Sequence, residues 1–285
     1  MASIREDLKN EFRRGNLPLR LVLINTAVLI FINLLQLTIG ESSTIFYFGA
    51  STDFVYTITH PWTIITHMFT HKDFWHWFGN MVVLYFAGLM FLQFLGAKKF
   101  LSTYLVGGLA GLVLCIIGGL ISEDLSGRML IGASAAIMAC FVAVASYAPN
   151  FEVNLFGVFR VQLKYIAAVY VILDFVSIGE SLNSGGHVAH LGGALYGFMY
   201  ARLLKDGRNI QSWMDSLVGM IFFGERRSKL RVVHTKRGGK SDEEFNIEKK
   251  ANQRRVDVIL DKISRGGYES LSKEEKEFLF KFSQK

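Results

Sequence analysis

Long apolar segments, separated by short polar loops, constrain this chain more than any other feature of its sequence. A helix needs about 20 mainly apolar residues to cross the hydrocarbon core of a bilayer. Six segments reach or approach that length: residues 21–39, 77–95, 100–121, 130–148, 165–178 and 188–204. The pattern predicts an all-α polytopic membrane protein with six transmembrane helices, embedded in a lipid bilayer.

The charge of the chain supports this prediction. Only 19% of the residues are charged, and 20 of the 31 Lys and Arg residues lie from Arg202 onward, whereas a soluble domain averages about 25% charged residues. This composition argues against a disordered chain, a disulfide scaffold and most soluble enzymes. Cys115 and Cys140 both fall within predicted spans. Cysteines there behave as small apolar residues, so we expect neither a disulfide nor a thiol nucleophile.

The basic residues of the loops predict the orientation of the spans. Lys and Arg of short loops concentrate on the cytoplasmic side of membrane proteins. The opposite side has only Lys72 and Arg128, whereas the predicted cytoplasmic side has Arg5, Lys9, Arg13, Arg14, Arg20, Lys98, Lys99, Arg160, Lys164, Arg202, Lys205 and Arg208. We therefore predict that both termini are cytoplasmic, with an N-terminal tail (1–20), a six-span domain (21–204) and a basic cytosolic tail (205–285).

The predicted tail contains further helical patterns. An apolar stripe over 210–221 indicates either a helix lying at the membrane interface or a helix packed within the tail. A helical hairpin follows, turning at Gly266-Gly267, with Ser272 and Glu275 forming a capping box. Acidic and basic residues alternate in this hairpin, so we expect no nucleic-acid partner. The oligomeric state is not predicted.

Three polar residues within the predicted spans are candidates for function, because polar groups in a membrane are costly. Asn80, Ser134 and His190 each lie about one turn into an even-numbered span and so at similar depth below the outer surface. An amide, a hydroxyl and an imidazole in one layer could supply the oxyanion donor, nucleophile and general base of acyl transfer. Gly193 and Gly197 would let the sixth span approach the fourth closely enough for His190 to hydrogen-bond Ser134.

Other interpretations of the same residues exist. A serine in a membrane helix commonly bonds its own i−4 carbonyl, and glycine pairs are common packing devices. Imidazoles suit zinc, copper or nickel, and the histidines to consider for a metal are His67, His71, His76, His187 and His190. No His-Glu-x-x-His pattern accompanies them, so no metal site is expected.

These motifs together resemble those of the rhomboid intramembrane serine proteases. The resemblance covers about residues 55–200. It includes the outer-loop stretch 60–71, His76 with Asn80, Gly132-Ala133-Ser134-Ala135, and Ala189-His190-Leu191-Gly192-Gly193 with Gly197. Each motif is weak alone, but they occur in order and on the matching spans.

The resemblance implies a role for each residue. Ser134 would be the nucleophile and His190 the general base; the His76 and Asn80 side chains, with the Ser134 backbone N–H, would form the oxyanion hole. His67 and His71 would tie the outer loop to the core. Substrates would be single-span membrane proteins, cleaved near the outer surface without a cofactor. The fifth span resembles the family's lateral gate.

The sequence departs from the family pattern at several positions. Ala135 replaces a common glycine, Met138 a frequent aromatic residue, Thr63 an arginine, and Leu92 or Gln93 a glutamate. Asp174, on the fifth span, is expected to serve in packing or a water cavity rather than to orient His190, which leaves a dyad without a carboxylate.

Two further expectations concern location and alternative functions. Six spans with both ends inside fit the bacterial form of the family, which predicts a bacterial plasma membrane. The alternative function is a catalytically silent rhomboid-like protein that binds membrane clients. A transporter is less consistent with the sequence because it has no internal repeat.

Overall fold

The computed structural model describes residues 16–155, 157–178, 183–224 and 242–283. Its helices are α1 (Leu17–Ile39), α2 (Glu41–Phe48), α3 (Phe54–Thr59), α4 (Thr63–Thr66), α5 (Phe74–Leu95), α6 (Ala97–Ile121), α7 (Ser134–Tyr147), α8 (Leu163–Ser177), α9 (Ser184–Lys205), α10 (Ser212–Phe222), α11 (Asp242–Gly266) and α12 (Lys273–Ser283). Short 3₁₀ turns lie at Glu123–Leu125 and Tyr268–Ser270.

Helices occupy all six segments that the sequence predicts to span the membrane. Three of them, α1, α5 and α6, are long and apolar enough to cross a bilayer, and α7 is a shorter apolar helix of 14 residues. The predicted polytopic helical membrane bundle is therefore confirmed. The count of six crossings stays a prediction, since α8 has only 15 residues and α9 is less apolar.

Two short antiparallel ribbons connect the helices. In the first, β1 (Ala50–Ser51) pairs with β2 (Met129–Leu130), with Ala50 opposite Leu130. This pairing ties the loop after α2 to the segment that leads into α7. In the second, β3 (Glu152–Leu155) pairs with β4 (Phe159–Gln162) between α7 and α8.

Helix α7 lies at the centre of the bundle, and its residues from Ala135 to Ala145 are all buried. Small residues let α9 and α6 approach it backbone to backbone. A methyl carbon added at Gly193 would lie 2.1 Å from the Ala135 carbonyl oxygen, and one at Gly197 would lie 2.2 Å from the Ala139 carbonyl oxygen. The first turn of α7 is therefore held firmly against α9.

The outer surface of the bundle is apolar. Helix α8 in particular exposes Tyr165, Val169, Ile172, Leu173, Phe175 and Val176. An apolar surface of this extent is unusual on a soluble monomer and fits contact with lipid.

Helix α10 packs on α6 through a buried amide. Gln211 accepts hydrogen bonds from Thr103 Oγ1 (3.1 Å) and from the Tyr196 hydroxyl (2.7 Å), and its own amide donates to Asp215 (3.2 Å). The helix is amphipathic, as its apolar stripe predicts, but it packs on the bundle rather than within the tail.

The described chain divides into two compact units, with the boundary between Arg227 and Ser228. The second unit contains the predicted hairpin of α11 and α12. Its capping box is confirmed: the Ser272 N–H donates to Glu275 Oε2 (2.7 Å), and the Glu275 N–H donates to Ser272 Oγ (3.3 Å). The domain limits at 20/21 and 204/205 stay predictions.

Candidate active site

One cavity of about 680 Å³ lies among α5, α7, α8 and α9. Ser134, His190, His76 and Asn80 all contribute to its lining. Residues from three separate sequence motifs are thus brought to one place, as their common predicted depth requires.

Ser134 is the first residue of α7, and its position exposes backbone donors. The first N–H groups of a helix have no intrahelical partner, and the helix dipole makes this end partly positive. Gly132 precedes it with a φ of 119°, a conformation that side chains rarely adopt. A methyl carbon on Gly132 would lie 2.7 Å from His76 Nε2, so only glycine lets that imidazole reach the start of α7.

The Ser134 hydroxyl and the His190 imidazole face the same cavity without a direct hydrogen bond. None of the hydrogen bonds of residues 16–155, 157–178, 183–224 and 242–283 joins them. The direct contact expected from the sequence is therefore wrong for this structure. Gly193 and Gly197 fix the spacing of the two helix backbones. The distance between Ser134 Oγ and the His190 imidazole also depends on the torsion angles of the two side chains.

His190 does have a carboxylate partner, which corrects the expectation of an unsupported dyad. His190 Nδ1 lies 2.9 Å from Asp174 Oδ1. A carboxylate accepts, so the neutral imidazole carries its proton on Nδ1 and leaves Nε2 free as an acceptor. Asp174 is buried, with 7% of its surface exposed. The same oxygen also contacts His187 Nδ1 at 2.8 Å.

The sequence did contain a signal for this contact. Helices α8 and α9 form an antiparallel hairpin, in which residues at equal distance from the connection lie at equal height. Asp174 comes three residues before the end of α8, and His187 comes three residues after the start of α9. His190 follows one turn further along α9, within reach of the same carboxylate.

His76 and Asn80 present donors on the opposite side of the cavity. The Lys72 N–H donates to His76 Nδ1 (3.4 Å), which places the proton of a neutral ring on Nε2, beside Gly132. Asn80 Nδ2 donates one proton to the His76 carbonyl (2.8 Å) and retains a second. Both side chains thus have an N–H available to an oxygen bound in the cavity.

His67 and His71 lie in the loop before α5 and hold that loop in place. His67 Nδ1 donates to the Thr63 carbonyl (2.8 Å), and the His67 carbonyl accepts from the Gly132 N–H (2.8 Å). His71 Nδ1 donates to the Phe69 carbonyl (3.2 Å). Burial lowers the pKa of each imidazole to about 4, and the nearby His76 contributes for His71. Both rings are therefore neutral near pH 7.

Two of the departures from the family pattern, Met138 and Ala135, lie at the cavity or next to it. Met138 lines its wall together with Tyr170 of α8. Ala135 is buried, and its methyl carbon lies against Gly111 of α6, where an added methyl would be 2.7 Å away. The extra methyl at position 135 is thus accommodated by a glycine on the neighbouring helix.

Family models match two parts of the sequence. A model described as a Rhomboid domain matches residues 59–206, and one described as a family of unknown function, DUF6576, matches residues 240–285.

Curated relatives match over about half of this chain. "Rhomboid protein 1, mitochondrial" of Saccharomyces cerevisiae is 28% identical over 145 residues, which is 50% of this chain and 42% of that protein. "Presenilin-associated rhomboid-like protein A, mitochondrial" of Danio rerio is 29% identical over 141 residues, 48% of this chain and 36% of that protein. "Presenilin-associated rhomboid-like protein, mitochondrial" of Homo sapiens is 31% identical over 138 residues, 46% and 35% respectively. The chain thus spans less than half the length of these relatives.

Proposed function

The chain belongs to the rhomboid family, and from that premise we propose that it is an intramembrane serine endopeptidase. Its substrates would be single-span membrane proteins, cleaved near the outer membrane surface. The observation that carries the proposal is the shared cavity in which a serine, a carboxylate-bound imidazole and three N–H donors converge.

In the first half of the reaction, His190 Nε2 takes the proton of the Ser134 hydroxyl while Oγ attacks the substrate carbonyl carbon. This step requires Ser134 and His190 to close to hydrogen-bond distance when substrate binds. The developing oxyanion receives hydrogen bonds from the Ser134 backbone N–H, His76 Nε2 and Asn80 Nδ2. His190 then returns the proton to the leaving amine, and an acyl-enzyme remains on Ser134.

In the second half, water from the cavity attacks the acyl carbon while His190 Nε2 accepts a proton from it. The ester bond to Ser134 Oγ then breaks, His190 returns the proton to Oγ, and the carboxylic acid product leaves. Asp174 holds the imidazole in the tautomer that leaves Nε2 unprotonated and stabilises the imidazolium that forms. The proposed machinery is therefore a triad of Ser134, His190 and Asp174 rather than a dyad.

The substrate must reach Ser134 in an extended form, since a peptide bond within a helix is shielded by its own hydrogen bonds. Helix α8 is a suitable gate because only Leu163, Ala167 and Asp174 of its residues are buried. Moving the rest of its surface would cost little packing inside the protein.

A second candidate function is client binding without cleavage. The observation that favours it is the missing hydrogen bond between Ser134 and His190. Under this proposal the cavity would hold an unwound segment of a membrane protein, and Ser134 would not react.

The cellular location is a separate proposal. The relatives carry mitochondrial names, and that location is said of them. For this chain, we propose a cell membrane with both termini in the cytoplasm, because of the loop charges.

The test uses purified full-length protein in detergent with a panel of single-span reporters. We expect cleavage by the unmodified chain, loss of cleavage in Ser134→Ala and His190→Ala, and retained cleavage in the control Ser216→Ala. A fluorophosphonate probe should label the unmodified chain but not Ser134→Ala. Cleavage that persists in both site variants would refute the assignment; no cleavage and no labelling would favour client binding.

A further inference from the structure

We propose that Asp174, His187 and His190 form a zinc-binding site at the outer end of the α8–α9 hairpin, on the wall of the candidate active site. One ligand atom from each residue, a carboxylate oxygen and two imidazole nitrogens, lies within 4.8 Å of the other two. The sequence suggested five histidines for a metal, and the structure places the carboxylate of Asp174 beside two of them, His187 and His190.

The hydrogen bonding of Asp174 is unbalanced in a way that a cation would correct. Oδ1 accepts from both His187 (2.8 Å) and His190 (2.9 Å), whereas Oδ2 is buried without a hydrogen-bond partner among residues 16–155, 157–178, 183–224 and 242–283. An unsatisfied buried acceptor is uncommon in proteins and costs free energy. Because Asp174 is 7% exposed, bulk water offers little compensation.

The donor set selects the type of metal. Two imidazole nitrogens and one carboxylate oxygen make up a three-ligand zinc site, in which water takes the fourth position. Calcium and magnesium prefer oxygen ligands alone. Zinc is therefore the expected ion, with copper and nickel as chemical competitors.

In a tetrahedral site with bonds of about 2.0–2.1 Å, ligand atoms lie roughly 3.3 Å apart. The two separations from Asp174 Oδ1, 2.8 Å to His187 Nδ1 and 2.9 Å to His190 Nδ1, would each widen by a few tenths of an ångström. The ligand atoms of the two imidazoles, which lie within 4.8 Å of each other, would move to that same spacing. His187 and His190 are three residues apart and share one face of α9. Asp174 and His190 line the 680 Å³ cavity, which gives an ion a route to the site.

Zinc at this position would inhibit the proposed protease, a consequence that rests on the proposed function. The metal would replace the proton on His190 Nδ1 and put a positive charge beside the ring, making Nε2 a weaker base. It would also tie α8 to α9 and so restrain the proposed gate. Binding itself needs no protease activity.

The binding test uses the full-length Ser134→Ala chain in detergent, stripped of metal by a chelator. We expect zinc titration by calorimetry, and cobalt as a spectroscopic probe, to detect one tight site with tetrahedral absorption. His187→Gln in the same background should lower the zinc affinity by at least about tenfold, which is already the effect of changing a group that only hydrogen-bonds to a metal ligand. His60→Gln, a histidine outside the cluster, is the matched control and should bind zinc unchanged.

Equal zinc affinity in the His187→Gln and control chains, or no zinc binding at all, would overturn the proposal. Thermal melts of each variant establish that it is folded, and Asp174→Asn removes a second ligand independently. In a separate experiment, zinc should lower the rate of reporter cleavage by the unmodified chain. The cleavage rate of His187→Gln with zinc should stay close to the rate of the same variant without zinc. Failure of all cleavage with retained zinc binding would refute the protease and leave the metal site standing.

Discussion

At the scale of single residues, Asp174 shows how one carboxylate can set the chemistry of an imidazole. Its contact fixes the His190 tautomer and aims Nε2 at the cavity. The second imidazole, His187, shares the oxygen at 2.8 Å. His190 and His187 therefore share one carboxylate oxygen. Any group that binds His187 alters the charge that His190 experiences.

Replacing Asp174 with Asn should lower kcat by about 10²-fold or more, because the amide can stabilise the wrong tautomer; the same change costs about 10⁴-fold in a soluble triad. The measurement is reporter cleavage across pH in the presence of a chelator. Asp174→Glu should restore part of the rate. A kcat and pH profile equal to those of the unmodified chain would argue against the positioning role, whereas loss of folded protein alone would indicate a structural one.

Gly132→Ala should reduce both stability and cleavage. The new methyl would face a positive φ of 119° and lie 2.7 Å from His76 Nε2, and strained backbone of this kind costs on the order of 1–3 kcal/mol. The matched control is Gly127→Ala, which has a φ of 67° but nothing within 4 Å of the added carbon. We expect the control to lose some stability but keep its cleavage rate per folded molecule. Equal losses of rate in the two variants would contradict the role of the His76 contact.

At the scale of elements, the close packing of α7 against α9 depends on Gly193 and Gly197 of α9, which have no side chains. Gly193→Ala and Gly197→Ala should each lower stability by about 1–3 kcal/mol, since overpacking forces backbones apart. Thermal unfolding in detergent is the measurement. Gly79→Ala, with nothing within 4 Å, should be neutral or stabilising because alanine favours a helix. If all three variants unfold alike, close packing is not what these glycines provide.

Protonation of His67 and His71, in the loop before α5, should destabilise the protein in acid. Unfolded histidines titrate near pH 6.5, whereas burial lowers the folded pKa of both to about 4. Between these values the unfolded state binds more protons, so stability is full above about pH 6.5 and falls as the pH approaches 4. The loss is on the order of 3 kcal/mol for each histidine over that range.

Melting temperatures measured from pH 4 to 8 test this expectation. His67→Gln should flatten the pH dependence, whereas His60→Gln should preserve it. A melting temperature that stays constant over this range in the unmodified chain would show that these rings are not buried in their neutral form.

The sequence predicted the helices well because apolar runs report membrane burial directly. It also predicted that Ser134, His190 and Asn80 share a layer, since each lies about one turn into its span, and the family resemblance added His76. The prediction that Asp174 does not orient His190 was wrong, because the depth of Asp174 was taken from α8 alone. Its distance from the short connection between α8 and α9 places it at the height of His187 and within reach of His190. It also could not determine the separation of Ser134 and His190, which depends on side-chain torsions rather than on helix positions.

At the scale of the whole molecule, the two compact units predict where the chain can be shortened. Truncation after Arg227 should leave the melting temperature and cleavage rate nearly unchanged, because the first unit keeps α10. Truncation after Arg208 removes Gln211, the hydrogen-bond partner of buried Thr103 and half-buried Tyr196; an unsatisfied buried group costs about 1–3 kcal/mol. Both truncated chains would be purified and melted side by side; equal stability would show that α10 is dispensable.

The length of α8 has a consequence for the surrounding bilayer. Its 15 residues extend over about 22 Å at 1.5 Å per residue, whereas the hydrocarbon core is about 30 Å thick. The sequence predicts that α8 crosses the bilayer, and in that position acyl chains beside its apolar face must compress or its ends must pull headgroups inward, at a fraction of a kcal/mol per ångström. Elastic strain in the lipid would therefore be concentrated beside the cavity. The acyl-chain length of the surrounding lipid would then change the force on α8.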